Sequence, residues 1–172
     1  MTVTNIEKVE FIHKISKNIR HGRRTFFDHL FKTSGIVEKL CEDIGIIDSR
    51  YLIDAALFHS IYGTDYFEYN TAISREKITL LIGERAEQLV NFFCSLPDRN
   101  IQVLQHKFTP DQLQRDLYIL EYANLLDISI EDVQSTGALN PAKIFRLKLL
   151  RANLIDHYKF KMPPLPFNFP SK

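Results

Sequence analysis

The sequence lacks the features that would mark it for one class of partner. Its charges nearly cancel, with 22 Lys and Arg against 21 Asp and Glu and a formal net charge of +1. No overall field therefore draws it to nucleic acid or to a membrane surface. No apolar run approaches the ~18 residues of a membrane span. The polar start MTVTNIEKVEF has no apolar h-region, so no secretory signal peptide is expected. The two cysteines, Cys41 and Cys94, have no metal-ligand spacing and read as buried thiols of a reducing compartment, which points to the cytoplasm. A glycine-rich phosphate cradle, a nucleophile elbow and a Cys-His catalytic signature are also missing. Gly63-Thr64 alone is a weak signal.

What is present is helical periodicity in a chain of 172 residues, long enough to bury one core. Alternation typical of strands is not convincing anywhere. A moderate amphipathic pattern runs from Ile6 to Ile19. A stronger stripe runs from Thr25 to Ile44 through Phe26, Leu30, Val37, Leu40 and Cys41, with Gly45 as a natural stop. Asp48 can cap a helix reaching about Ile61, and Ser74 can start a short helix stopped at Gly83. Glu84 to Cys94 carries Ala86, Leu89, Val90 and Phe93 inward. Thr109-Pro110-Asp111 opens a helix to about Leu126, and Asn140-Pro141 opens a last one to about Tyr158. The expectation is an all-α domain over residues 1–160, with a proline-rich tail over 161–172. Loops near Tyr62 to Ile73 and Ile128 to Leu139 are long enough to cover a pocket. Phe167 and Phe169 of the tail KMPPLPFNFPSK are expected to pack on the body.

The charges are unevenly spread. The stretch HKISKNIRHGRR, from His13 to Arg24, contains five Lys or Arg and no acid. It is either a solvated basic face or the rim of an anion site, and without interleaved aromatics it does not suit nucleic acid. Of six histidines, three fall where a pocket can form. His21 precedes the second helix, His29 lies within it, and His59 ends the apolar run of the third. Any of them alone is ordinarily a hydrogen-bonded structural histidine.

Three segments together resemble the HD-domain superfamily of metal-dependent phosphohydrolases, which includes enzymes that hydrolyse guanosine tetraphosphate alarmones. TFFDHLFKTSGIVEKL places His29 where that family has its first histidine. AALFHSIYGT places His59 and Ser60 where it has a consecutive His-Asp, and YILEYANLLDIS places Asn124 where it has a final aspartate. More closely, GRRTFFDHL, AALFHSIYGT and LIGERAEQLVNFF resemble an HD-like family of unknown function. The resemblance implies an HD-like helical bundle with His29 and His59 at its centre, as catalytic residues and as metal ligands.

The departures bear on chemistry. Two carboxylates of the family site are replaced by the neutral Ser60 and Asn124, which weakens the hold on a hard divalent ion. Glu121 and Asp127 lie three residues either side of Asn124 and share its helical face. Asp65 follows the His59 helix. A set of His21, His29, His59 and one acid would suit zinc or iron, and manganese is the third candidate ion. The metal-free alternative is a pocket in which His21, Arg24, Ser60, Tyr62, Thr64, Arg75 and Asn124 contact a small anionic molecule, with Arg23 adding charge. Histidine then acts as a general base, or the domain only binds and regulates. An HD-type metal oxygenase needs more histidine and carboxylate ligands than the chain can align. Nothing in the sequence specifies an oligomeric state.

Overall fold

Side-chain capping sets the start of four of the eight helices among the described residues, those beginning at Asn5, Phe26, Arg75 and Pro141. In the computed structural model, which describes residues 3–69 and 73–167, helix α1 spans Asn5–Ser16. Thr4 caps it reciprocally, its hydroxyl accepting from Glu7 N at 3.3 Å while Glu7 Oε2 accepts from Thr4 N at 2.7 Å. A two-stranded hairpin follows, β1 (Arg20–His21) against β2 (Arg24–Thr25), antiparallel, with His21 opposite Arg24. Strands of two residues are too short to leave an alternating pattern, so none was legible in the sequence. Gly22 turns the hairpin at φ +63°, and a Cβ there would lie 3.2 Å from Glu131 Oε1.

Thr25 ends the hairpin and caps helix α2 (Phe26–Ile44), its hydroxyl accepting from Asp28 N at 3.1 Å. The cap fixes the phase of α2, so that Phe26, His29, Leu30, Thr33, Val37, Leu40 and Cys41 form one buried stripe. His29 therefore sits inside an apolar seam. Gly45 stops the helix in the left-handed region at φ +77°.

Helix α3 (Arg50–Phe58) is buried over most of its circumference. Its start differs from expectation: Ser49, not Asp48, holds the cap position, and Asp48 instead pairs with Arg85 at 3.1 Å. It also ends at Phe58 rather than Ile61, and His59 to Tyr62 form turns. Gly63, at φ +77°, lets the chain double back, because a Cβ there would meet Tyr69 O at 3.0 Å. The returning loop is tied by a Thr64–Phe67 bridge. Helices α4 (Arg75–Ile82), capped by the Ser74 hydroxyl, and α5 (Glu84–Ser95) meet at Gly83. A short α6 (Arg99–Gln105) leads to α7.

Helix α7 (Asp111–Thr136) is the axis of the molecule, buried on all sides from Leu117 to Asp127. It runs ten residues past the expected end at Leu126 and removes the loop expected over residues 128–139. Tertiary contacts account for the extension. Ser129 is buried, Glu131 accepts from the hairpin, and Lys143 pairs with Asp132 at 2.7 Å. Helix α8 (Pro141–Asp156) starts as expected, with Asn140 Oδ1 accepting from Ala142 N and Lys143 N. Helix α2 packs between α3 and α7, α5 backs α3, and α8 backs α7. The described residues are thus all-α apart from one small hairpin. None of their helices is long and apolar enough to cross a membrane.

The tail beyond α8 is extended and lies on the body, with Met162 buried and Arg151 donating to Pro163 O and Met162 O, both at 3.0 Å. Phe167 packs against the core as expected, and Phe169 lies outside the described residues.

Ala55 and Ala56 are both fully buried. They let α3 approach its neighbours closely and bring His59 to α2. Replacing Ala56 with Leu inserts volume where none is available and is expected to cost about 1–3 kcal/mol. The readout is a lower urea midpoint at unchanged m-value.

Candidate functional site

The buried stripe of α2, the end of α3 and the middle of α7 converge on one polar cluster. His29 Nδ1 lies 2.7 Å from Asp127 Oδ2, and His29 Nε2 lies 3.1 Å from His59 Nε2. His59 Nδ1 in turn lies 2.7 Å from the carbonyl of Ala56, one turn back along α3. Both imidazoles are closed off from solvent, at 1% and 0% exposure. Arg24 reaches across from the hairpin and grips Asp127 with both terminal nitrogens, Nη1 to Oδ1 at 2.9 Å and Nη2 to Oδ2.

An ionised Asp127 and a carbonyl can only accept, which favours a proton on both Nδ1 atoms, while Arg24 Nη2 also lies 3.3 Å from His29 Nδ1. In the neutral rings both Nε2 atoms are then bare, and the two lone pairs face each other across 3.1 Å. One proton placed between them converts repulsion into an N–H···N hydrogen bond shared by the pair. Burial pushes the pKa of both rings well below the ordinary histidine value. His21 and Arg24 add to the effect at His29, and His29 adds to it at His59. The pair is therefore neutral at pH 7. Asp127 is pushed the other way: burial raises its pKa, and the opposing pull of Arg24 is the smaller effect.

A second charged layer lies behind the pair. Asn124 on α7 lies against His29, where its side chain favours the protonated ring. Its Nδ2 donates to Glu121 Oε2 at 3.2 Å, and the same oxygen accepts from Arg99 Nε at 3.1 Å. The Arg99 guanidinium covers the Phe93 ring at 3.9 Å, and that ring meets His59 edge-on. Arg146 approaches Glu121 Oε1 at 3.5 Å. Three arginines, at positions 24, 99 and 146, thus face three carboxylates at 121, 127 and 131.

This balance decides the metal question by donor chemistry. Every nearby carboxylate is ion-paired with an arginine, and beside them stand two imidazoles, a neutral amide and one Glu121 oxygen that accepts no hydrogen bond among the described residues. His21 does not complete a set. Its ring stacks on His29 at 4.2 Å with planes 9° apart. Lone pairs in two parallel planes so far apart cannot both reach one ion at the ~2.0–2.1 Å of a metal–imidazole bond. Asp65 is engaged elsewhere, accepting from Asp98 N at 3.0 Å. No group of three or more His, Cys, Asp or Glu side chains suited to a metal ion occurs among the described residues. The residues present do not fit the divalent ion of the HD hydrolases.

Of the other residues expected at the site, Ser60 is buried next to His59. Thr64 serves its own loop, its hydroxyl accepting from Tyr66 N at 3.3 Å. Tyr62 and Arg75 are drawn away to Glu87, which accepts from the Tyr62 hydroxyl at 3.0 Å and from Arg75 Nε at 2.7 Å. Arg23 also turns away, its backbone N–H donating to Glu131 Oε1 at 2.9 Å and its Nη1 to Ser135 O. Sequence reasoning missed Arg99 and Glu131. Arg99 leaves no sequence signal, whereas Glu131 lies four residues after Asp127, the i,i+4 spacing that puts two acids on one helical face.

The pKa directions set a pH dependence. His29 and His59 bind protons in the unfolded chain at a higher pH than in the folded one, so their contribution is complete above about pH 6.5 and is lost as pH falls. Unfolding free energy should decline by as much as about 2.7 kcal/mol per pH unit for two such groups. At lower pH the raised carboxyl of Asp127 works in the opposite sense. Chemical denaturation from pH 7.5 to 5 measures the slope, which should flatten in a His29→Gln, His59→Gln variant. Nitrogen-15 NMR at pH 7 should show both rings as neutral Nδ1–H tautomers.

No curated protein and no solved structure matches the chain. A family described as Domain of unknown function (DUF6817) matches residues 11–99, just over half of the sequence. The match takes in the hairpin, His29, His59 and Ser60, and stops before Asn124 and Asp127. On that match, the chain belongs to the DUF6817 family.

Proposed function

We propose that the chain is a divergent HD-like domain in which His29 and His59 act as one acid–base unit on a small anionic molecule. Phosphate esters are the class to which the resemblance points. The observation that carries this reading is the pair of Nε2 atoms 3.1 Å apart, each ring backed by an oxygen 2.7 Å from its Nδ1. A base that is neutral at pH 7 and gains a hydrogen bond on taking up a proton is suited to deprotonating a hydroxyl or water nucleophile. In HD hydrolases the metal lowers the pKa of that water. Here the donor set leaves the task to the imidazole pair.

Two buried nitrogens of the hairpin support an anionic partner. His21 Nδ1 and Arg24 Nε have no hydrogen-bond acceptor among the described residues. Arg24 Nε lies 3.3 Å from Glu131 Oε2 without hydrogen-bond geometry. An oxyanion beside the hairpin would satisfy both. Over the pair lies the ring of His21, itself covered edge-on by Phe67 of the returning loop. Entry therefore requires displacing a loop rather than a helix. Cys41 and Cys94 are unpaired, and burial pushes both up to about 11, in keeping with a cytoplasmic protein that does not use its thiols.

A second reading, a ligand-binding or regulatory module without catalysis, is favoured by the complete burial of both imidazoles. Protein purified without added metal separates the two. For the enzyme, a panel of phosphomonoesters and nucleotides should be turned over in EDTA, with about a hundredfold or greater loss in His29→Gln and His59→Gln. Stabilisation by such an anion without turnover, abolished by His59→Gln, would select the binding module. Stoichiometric metal whose removal lowers the melting temperature would overturn both readings.

A further inference from the structure

The flank of Asp127 opposite the histidine pair opens into a cavity of about 550 Å³ between α2, α7 and the tail. Its walls are apolar: Ile36 and Leu40 from α2, Leu126 and Ile130 from α7, and Pro163 and Pro164 from the tail. Such a volume is that of a small-molecule site. The roof is held in place rather than draped. Arg151 grips the carbonyls of Met162 and Pro163, Met162 is buried, and the prolines fix the chain in an extended form that cannot coil. A stiff roof keeps the cleft from collapsing and reduces the ordering cost of binding.

The charges lining the cleft are not balanced. Asp127 at its floor is held by Arg24, and Lys39 at its rim pairs with Asp43 at 2.7 Å. Lys32 also lines the cleft, near enough to Asp28 and Asp127 to lower the pKa of both, yet makes no ion pair within 4 Å among the described residues. One cation without a close ion-pair partner therefore stands over an apolar slot. We propose that this cleft binds a small amphipathic anion, with its apolar body between α2 and α7 under the proline roof and its acidic group on Lys32. The site shares only Asp127 with the histidine cluster and does not depend on the chemistry proposed there.

8-Anilinonaphthalene-1-sulfonate has the required form, a compact apolar body with one anionic group. Titrated into the folded protein, it should give saturable fluorescence at one equivalent, displaced by decanoate. Lys32 is exposed, so Lys32→Glu is compatible with folding. Reversing its charge should weaken the sulfonate by about tenfold and leave the uncharged probe N-phenyl-1-naphthylamine unaffected. Ile36→Trp, which fills the slot, should abolish binding of both probes at an unchanged melting temperature. If Ile36→Trp does not fold, the difference between the two probes in Lys32→Glu decides alone. Absence of saturable binding, or sulfonate binding unchanged by Lys32→Glu, would overturn the proposal.

Discussion

The grip of Arg24 on Asp127 is the interaction on which the arrangement of the site depends. It joins a hairpin near the start of the chain to the central helix near its end, and it leaves Asp127 able to accept from His29 as well. A buried carboxylate serving one imidazole would be costly alone. With Arg24 across both oxygens it becomes a fixed acceptor. That acceptor orients the His29 ring, as the Ala56 carbonyl orients His59. The neutrality of the pair follows instead from burial, with neighbouring histidines and arginines adding to it.

The rest of the cluster repeats this logic. Glu121 is held by Arg99 and Arg146, and it in turn holds Asn124. Charge is present in quantity but paired within the fold. Positions 60 and 124 carry the neutral Ser60 and Asn124, and arginines occupy the neighbouring acids.

Much of the helix pattern was legible in the sequence because capping is local. Gly45, Ser74, Gly83 and Asn140 each act within three or four residues of themselves and stand where expected. Asp48, by contrast, does not cap α3, and Thr109 does not cap α7, where Pro110 holds the cap position. What could not be read locally was the length of α7. The segment after Leu126 is weakly amphipathic, and its helicity depends on Glu131 meeting the hairpin and Asp132 meeting Lys143. The site was legible to the extent that its residues come from short motifs. His29 and His59 meet as their segments suggested, and Asp127 proved a partner of the pair. Tyr62 and Arg75 are close to His59 in sequence or in charge but turn to Glu87, a pairing that depends on how α4 and α5 fold together. Arg99 enters from a short helix with no signature at all.

The contact between His29 and Asp127 spans 98 residues of chain, and that between Arg24 and Asp127 spans 103. Both histidines lie within the first sixty residues and leave the ribosome well before the carboxylate that orients one of them. Until α7 is complete, nothing fixes the His29 ring, and the α2 stripe has only part of its cover. Closing so long a loop carries a large entropic cost that only late contacts repay. Orientation of the His29 ring by Asp127 is in this sense a report that α7 has formed, although the His29–His59 contact itself spans only 30 residues.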